Sequence, residues 1–130
     1  MSVERVLLTN DDGIDAAGIR ALYEGLSADY DVVAVAPTDD QSSTAGLDAL
    51  VPDADMVVAG CNEGANLGAY TLGRSGTVSA AVEAAFFGVP AVAASMYVPG
   101  GDDWWKREFS PPEFANATRA TRFLIREATA

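Results

Sequence analysis

Two adjacent carboxylates, Asp11 and Asp12, lie between an asparagine and Gly13. They come just after residues 6–9, a mostly apolar run of the kind found in buried strands. Neighbouring residues on a regular strand point to opposite faces, so both carboxylates can reach one ligand only where the strand ends. Gly13 permits that turn because it has no Cβ. Two carboxylates at such a short distance repel each other, and a bound hard divalent cation usually offsets this repulsion. The stretch predicts a metal site, the alternative being an acidic strand-to-helix loop.

Two further polar loops follow predicted strands. In the loop 38–46, Ser42 or Asp39 is expected to face the crevice of the two aspartates, the alternative being a solvated loop. The loop 60–68 has a glycine at every fourth position, with Asn62 and Asn66 between them, which favours close approach of the backbone to a ligand. This loop is not a P-loop, because the chain contains no Gly-Lys-Ser/Thr.

A predicted helix begins around Ser75, Gly76 and Thr77. Either hydroxyl could cap the helix, and the N–H groups and positive dipole at a helix start also bind phosphate. The two roles are compatible, and the sequence leaves both open. The only cysteine, Cys61, is interpreted as a packed small residue, because the chain has no histidine to activate a nucleophile.

The elements that position these loops alternate between strand and helix. Strands are predicted at residues 4–9, 31–37, 55–60 and 91–95, and helices at 16–27, 74–87 and 111–129. The strands are nearly continuous apolar runs, as expected when helices cover both faces of a sheet. A strand, a helix and a strand at this spacing form a βαβ unit, so the fold class is α/β with parallel strands.

Hydrophobic periodicity assigns each helix a buried face. The first helix has Asp15 as its expected N-cap and a stripe of Ile19, Leu22 and Leu26. The second helix is expected to end at Gly88 and to bury Val78, Ala81, Val82, Ala85 and Phe86. The third is expected to align Phe114, Ala117, Thr121, Leu124 and Ala128.

Composition narrows the class of protein. The chain has 130 residues, enough for one domain, and 19 acidic against 8 basic residues give it a net charge of −11. Lys106 is its only lysine, and this acidic excess favours solubility in concentrated salt, as in a halophile. Phosphate contacts need Lys and Arg, so duplex nucleic acid is an unexpected partner.

The chain lacks a basic, apolar leader at its N-terminus and any apolar run long enough to span a membrane. A single cysteine excludes an intrachain disulfide and suits a reducing compartment. A cytoplasmic protein without a membrane partner is therefore expected.

Four blocks, in order, resemble the SurE family of metal-dependent nucleotidases. They are Thr9-Asn10-Asp11-Asp12-Gly13-Ile14 with Gly18-Ile19-Arg20-Ala21-Leu22, Val35-Ala36-Pro37 with Asp40-Gln41-Ser42, Gly60-Cys61-Asn62-Glu63-Gly64-Ala65-Asn66-Leu67-Gly68, and Ser75-Gly76-Thr77-Val78-Ser79-Ala80-Ala81. The resemblance covers most of residues 4–97. The Asn-Asp-Asp-Gly and Asn-x-Gly-x-Asn blocks together are highly specific.

The resemblance implies a three-layer α/β/α Rossmann-like domain with a mostly parallel sheet, which removes phosphate from nucleoside 5′- and 3′-monophosphates. It also implies a homodimer or homotetramer with one Mg²⁺ or Mn²⁺ per subunit. The implied metal ligands are Asp11, Asp12, Ser42 and Asn62. The implied phosphate-binding residues are Asn66, Ser75, Gly76 and Thr77.

The candidate catalytic residues are Asp11 and Asp12. Either aspartate could act as general base on water, and Asp11 could instead attack phosphorus directly through an acyl-phosphate. The sequence leaves these alternatives open.

The chain departs from the family pattern in two places. Residues 1–130 are expected to form one domain in which a family segment is missing near 45–52, between Ser42 and Pro52, and the C-terminal extension that serves oligomer contacts is absent. A sheet element, part of the substrate wall and the oligomer arm are expected to be missing with them.

Two other functions are compatible with parts of the pattern. The first is a catalytically impaired core of the same family, which would bind metal and nucleotide without turnover. The second is a signalling receiver domain, whose first strand also ends in acidic residues that bind Mg²⁺. A receiver would need a lysine after its last strand, and the stretch 95–98 contains none.

Overall fold

The computed structural model describes residues 2–36, 53–64, 75–97 and 108–129. The strands are β1 (Arg5–Thr9), β2 (Asp31–Ala34), β3 (Met56–Glu63) and β4 (Ala91–Met96). The α-helices are α1 (Ala17–Ser27), α2 (Gly76–Phe86) and α3 (Ala115–Thr129), and a 3₁₀ helix (Pro111–Phe114) leads into α3. Within these ranges, no helix has both the length and the apolar character needed to cross a membrane.

The four strands form one parallel sheet in the order β2-β1-β3-β4. Alternate residues of β1 face opposite layers: Val6 and Leu8 pack with α1 and α3, whereas Leu7 packs with Ala84 of α2. The predicted α/β/α arrangement is therefore confirmed. Because the strands are parallel, their carboxyl ends meet at one edge of the sheet, where α2 begins.

The stripe predicted for α1 is confirmed, since Ile19, Leu22 and Leu26 are all buried in the main core. Its predicted cap is wrong. Ala16 occupies the N-cap position without a side-chain hydrogen bond, and the Asp15 carboxylate instead accepts a hydrogen bond from Arg20 at 3.3 Å. The turn before α1 is closed by the backbone, because the N–H of Ala16 donates to the carbonyl of Gly13.

The buried face predicted for α2 is also wrong. The helix buries small residues, namely Gly76, Thr77, Ala80 and Ala84. Phe86 is 85% exposed and Val82 49% exposed. Apolar residues occur all around this helix, so periodicity could not define its face. Contacts of Gly76 and Thr77 with Asp11 fix the helix rotation, and residues three and seven positions beyond Thr77 then face the sheet.

The stripe predicted for α3 needs a similar correction. Phe114 and Thr121 are buried as expected. The other buried residues are Thr118 and Ile125, each one position after the predicted Ala117 and Leu124. Leu124 is 52% exposed, and Ala128 is exposed as well. The methyl group of Thr118 lies against Gly25, where a Cβ would come within 2.3 Å of it. Contact with α1, not hydrophobicity alone, sets this helix face.

The strand β3 is longer than predicted and β2 is shorter. Residues 61–63, expected in a loop, continue β3, because Asn62 and Glu63 align with Ser95 and Met96 of β4. The register between β3 and β4 shifts between Ala59 and Asn62. The strand β2 ends at Ala34, before the predicted end at Pro37.

Asp55 ties the start of β3 to the start of β1. Its carboxylate accepts hydrogen bonds from the backbone N–H groups of Arg5 and Glu4, both at 2.9 Å. These bonds favour the ionised form and hold the pKa of Asp55 below its usual value.

We expect the variant Asp55→Ala to lower the urea midpoint at neutral pH. A carboxylate with a lowered folded-state pKa stabilises the fold above its unfolded pKa, and this contribution is lost as the pH falls through the folded-state pKa. The difference between wild type and variant should therefore narrow below about pH 4. Urea titrations at neutral and acidic pH measure the difference in midpoint between wild type and variant. An equal difference at both pH values would contradict the role of ionisation.

Candidate active site

The turn after β1 is held by a buried asparagine. Asn10 is 1% exposed, its Nδ2 donates to the carbonyl of Gly13 at 2.8 Å, and its Oδ1 accepts from the N–H of Gly13 at 3.2 Å. Gly13 has a φ of 113°, so the expected glycine turn is confirmed. Sequence reasoning assigned no role to Asn10. The signal was available, since asparagine commonly closes such turns through its own side chain.

The N-terminus of α2 lies against Asp11. The Thr77 hydroxyl donates to Asp11 Oδ1 at 3.0 Å. A Cβ on Gly76 would lie 2.9 Å from both the Cβ and the Oδ2 of Asp11, so this position accepts only glycine without a shift. The end of β1 and the start of α2 therefore form one junction around a single carboxylate.

The end of β3 lies beside Asp12, whose Oδ2 accepts a hydrogen bond from the backbone N–H of Glu63 at 3.2 Å. Next to it, Asn62 Nδ2 donates to the carbonyl of Gly64 at 2.7 Å. The N–H of Gly64 donates to the carbonyl of Met96 at 3.1 Å, which anchors this turn to β4. Asp12 and Asn62 thus belong to the same edge of the sheet.

Ser75 caps α2, because its hydroxyl accepts a hydrogen bond from the N–H of Val78 at 3.1 Å. The first N–H groups of an α-helix have no acceptor within the helix, and here they belong to Gly76 and Thr77. The side chains of Ser75 and Thr77 thus form hydrogen bonds within the protein. The backbone N–H groups at this helix start carry the positive end of the helix dipole.

Cys61 is fully buried between the strands and α1. Burial, together with the charges of Asp12 and Glu63, raises the pKa of its thiol to about 12. A thiol with that pKa is protonated at neutral pH and is a poor nucleophile. The interpretation of Cys61 as a packed residue is confirmed.

Six of the eight predicted site residues lie at the carboxyl edge of the sheet; they are Asp11, Asp12, Asn62, Ser75, Gly76 and Thr77. Ser42 and Asn66 lie outside the described residues, as does Asp39. Asn10 and the backbone N–H of Glu63 are additions to the predicted set, and only the role of Asn10 has a local sequence signal.

The donor atoms at this edge are carboxylate and amide oxygens, which suit small hard cations such as Mg²⁺ or Mn²⁺. Across the described ranges, no group of three or more His, Cys, Asp or Glu side chains could hold a metal. The side chains of Asp11, Asp12 and Asn62 nevertheless fit such a cation. The ligand set that the family resemblance implies needs only two carboxylates, and its other ligands are neutral oxygens.

Comparison with known proteins gives consistent matches. The chain matches the profile of the family described as Survival protein SurE, over residues 6–47 and 43–129. It is 56% identical to the 5′-nucleotidase SurE of Natronomonas pharaonis over 153 positions, which cover 95% of this chain and 59% of that protein. Its identity to the 5′-nucleotidase SurE of Haloarcula marismortui is 49% over 158 positions, covering 98% and 59%.

The fold has a matching solved structure. The crystal structure of SurE protein from Aquifex aeolicus superposes with a TM-score of 0.74 at 25% identity, covering 95% of this chain and 59% of that one. The chain thus spans about 59% of the length of these relatives. The two sequence alignments are longer than the 130 residues of the chain, so the relatives contain residues that it lacks.

Proposed function

Since the chain belongs to the SurE family, we propose that it is the core of a metal-dependent nucleotidase that hydrolyses nucleoside 5′- and 3′-monophosphates. The observation that carries the proposal is the junction of Asp11, Asp12 and the N-terminus of α2. Two carboxylates for a cation and a helix start for an anion lie together there.

We assign the cation to Asp11, Asp12 and Asn62, with Ser42 as the fourth ligand that the resemblance implies. When bound, Mg²⁺ or Mn²⁺ supplies positive charge to the phosphate oxygens and acidifies a water molecule. That charge is needed here, because a dianionic phosphate would otherwise approach two carboxylates in a chain of net charge −11.

The residues of the chain have separate tasks in this proposal. The backbone N–H groups of Gly76 and Thr77 donate to the phosphate oxygens, and Asn66 adds a side-chain donor. Ser75 acts through the cap that keeps this helix start formed. Either Asp11 or Asp12 takes the proton of the water that displaces the nucleoside oxygen from phosphorus, or Asp11 itself displaces that oxygen and water then hydrolyses the acyl-phosphate; in both cases the nucleoside leaves with a proton taken up from the solvent.

The decisive experiment is release of inorganic phosphate from AMP and GMP, with Mn²⁺ or with EDTA, in molar potassium chloride. We expect release with Mn²⁺ and none with EDTA. Folded protein that binds Mn²⁺ but releases no phosphate would contradict catalysis and favour the impaired, binding-only core.

Three finer proposals accompany this function. The sequence near residues 45–52 is shortened relative to the family, and the two stretches matched by the family profile meet close by, at 43–47.

Adaptation to concentrated salt is supported by the acidic excess and by relatives from haloarchaea. A cytoplasmic location fits a chain whose single cysteine is buried and forms no disulfide within the chain.

We also propose self-association through the exposed apolar residues of α2. Val82 and Phe86 point away from the sheet, and Phe87 is 62% exposed at the helix end. Exposed clusters of large apolar side chains commonly mark interfaces.

The double variant Phe86→Glu/Phe87→Glu is expected to convert a dimer or tetramer into a monomer, because it places charge where apolar contact is needed. Light scattering after size-exclusion chromatography measures the mass. Tyr23→Glu, on α1 at the opposite face of the sheet, is the matched control and should leave the mass unchanged. A wild-type protein that elutes as a monomer would contradict the proposal.

A further inference from the structure

We propose that the hydroxyl of Thr77 is a positioning group that orients Asp11 for the cation, and that it is not a phosphate ligand. This inference rests on the proposed function, since it assigns a role within the same site. It differs from the role that family resemblance implies for this residue, which is phosphate binding.

The Thr77 hydroxyl is committed to the carboxylate. Thr77 is fully buried, and its Oγ1 donates to Asp11 Oδ1 at 3.0 Å. A hydroxyl has one proton, so it cannot donate to a phosphate oxygen while it donates to Asp11. Any contribution of Thr77 to phosphate binding therefore comes from its backbone N–H.

The helix does not need this hydroxyl for its own capping. Ser75 already accepts the N–H of Val78 and closes the first turn of α2. A threonine at this position without a capping task has its hydroxyl available for a contact across the junction. Ser75 caps the helix and Thr77 does not, so we infer that the role of the Thr77 hydroxyl is its hydrogen bond to Asp11.

Such a contact orients Asp11, which lies two residues beyond the end of β1 at Thr9 and is not held by the sheet. Its backbone is held by the bonds between Asn10 and Gly13, but the terminal torsion of a carboxylate is broad and has no sharp preference. Gly76 packs against Oδ2 and Cβ of Asp11, and Thr77 holds Oδ1. The carboxylate plane is thereby set before any cation arrives.

Partners that orient a metal ligand commonly change metal affinity when they are removed. We expect Thr77→Val, which keeps the shape and removes the hydroxyl, to weaken Mn²⁺ binding by about 10- to 100-fold. Thr77→Ser keeps the hydroxyl and should stay within about threefold of wild type. The electron paramagnetic resonance signal of free Mn²⁺ measures the dissociation constant without any turnover.

The matched control is Thr121→Val, which removes another buried threonine hydroxyl, one that donates to the carbonyl of Ala117 within α3. It should bind Mn²⁺ like wild type. Thr77→Ala supplies a second variant without the hydroxyl, in case Thr77→Val does not fold. Inhibition of AMP hydrolysis by inorganic phosphate, measured at saturating Mn²⁺, should be unchanged in Thr77→Val.

The outcomes separate this inference from the proposed function. Wild-type Mn²⁺ affinity in Thr77→Val, with weaker inhibition by phosphate, would overturn the inference and make the hydroxyl a phosphate ligand. Tight Mn²⁺ binding by wild type without phosphate release would contradict the proposed function alone, and the Mn²⁺ measurements on the variants would still decide the role of Thr77. Wild type that binds no Mn²⁺ would contradict both.

Discussion

Replacing Asp11 by asparagine is expected to lower kcat/KM for AMP by about 1,000-fold, or about 4 kcal/mol of transition-state stabilisation. Asparagine has nearly the same shape, and its carbonyl oxygen can still accept the hydrogen bond from Thr77. The fold should therefore persist. What is lost is the negative charge that holds the cation and, where Asp11 is the base or the nucleophile, the carboxylate that carries out the reaction.

The control for this variant is Asp15→Asn, four residues after Asp11, which removes the same charge from an exposed carboxylate paired with Arg20. Phosphate release from AMP at saturating Mn²⁺ should fall for Asp11→Asn and stay at the wild-type rate for Asp15→Asn. Circular dichroism verifies that both variants are folded. Near-normal rates in Asp11→Asn would remove Asp11 from the mechanism.

Replacing Gly18 by alanine is expected to destabilise the fold by about 3 kcal/mol, close to a 10 °C fall in melting temperature. A Cβ at Gly18 would lie 2.1 Å from the carbonyl oxygen of Cys61, which is backbone and cannot rotate away. The helix α1 would have to move off β3. This loss would outweigh the gain of about 1 kcal/mol that alanine normally brings to a helix interior.

Gly88→Ala is the comparison for this effect, because no atom lies within 4 Å of a Cβ added there. Its φ of 78° still disfavours alanine, at a cost of about 1 kcal/mol. Urea unfolding in molar potassium chloride should rank wild type above Gly88→Ala and Gly88→Ala above Gly18→Ala. A neutral or stabilising Gly18→Ala would show that α1 and β3 are not in close backbone contact.

Gly18 also links stability to the site, because the carbonyl it approaches belongs to the residue before Asn62. A displaced α1 would move the end of β3, where Asn62 and the N–H of Glu63 meet Asp12. Gly18 is therefore needed because the backbones of α1 and β3 approach closely, whereas Gly76 leaves space for the side chain of Asp11.

The order of strands and helices, the parallel sheet and the edge at which Asp11, Asp12 and Asn62 lie were all predictable. Each depends on local information: apolar runs such as Val6 to Leu8, a glycine at the turn, and the rule that parallel strands end at one edge. The stripe of Ile19, Leu22 and Leu26 was predictable for the same reason, because polar residues separate it clearly on the helix surface.

The orientation of α2 was not predictable, because this helix is apolar around its circumference. Hydrophobicity favoured Val82 and Phe86 as buried, yet the sheet receives Ala80 and Ala84. Small residues are required there, since the helix start must come within contact distance of Asp11. Similarly, β3 extends through Glu63 only because β4 offers partners for its last residues.

By itself, the sequence of this protein determined the residue types at the site and the edge of the sheet where they gather, because strand ends and glycine turns are encoded locally. Only the tertiary structure decided which side chain touches which. The Thr77 hydroxyl on Asp11 and the Glu63 N–H on Asp12 depend on distances between segments that are far apart in the sequence. Such distances are set by packing, and a pattern of letters does not contain them.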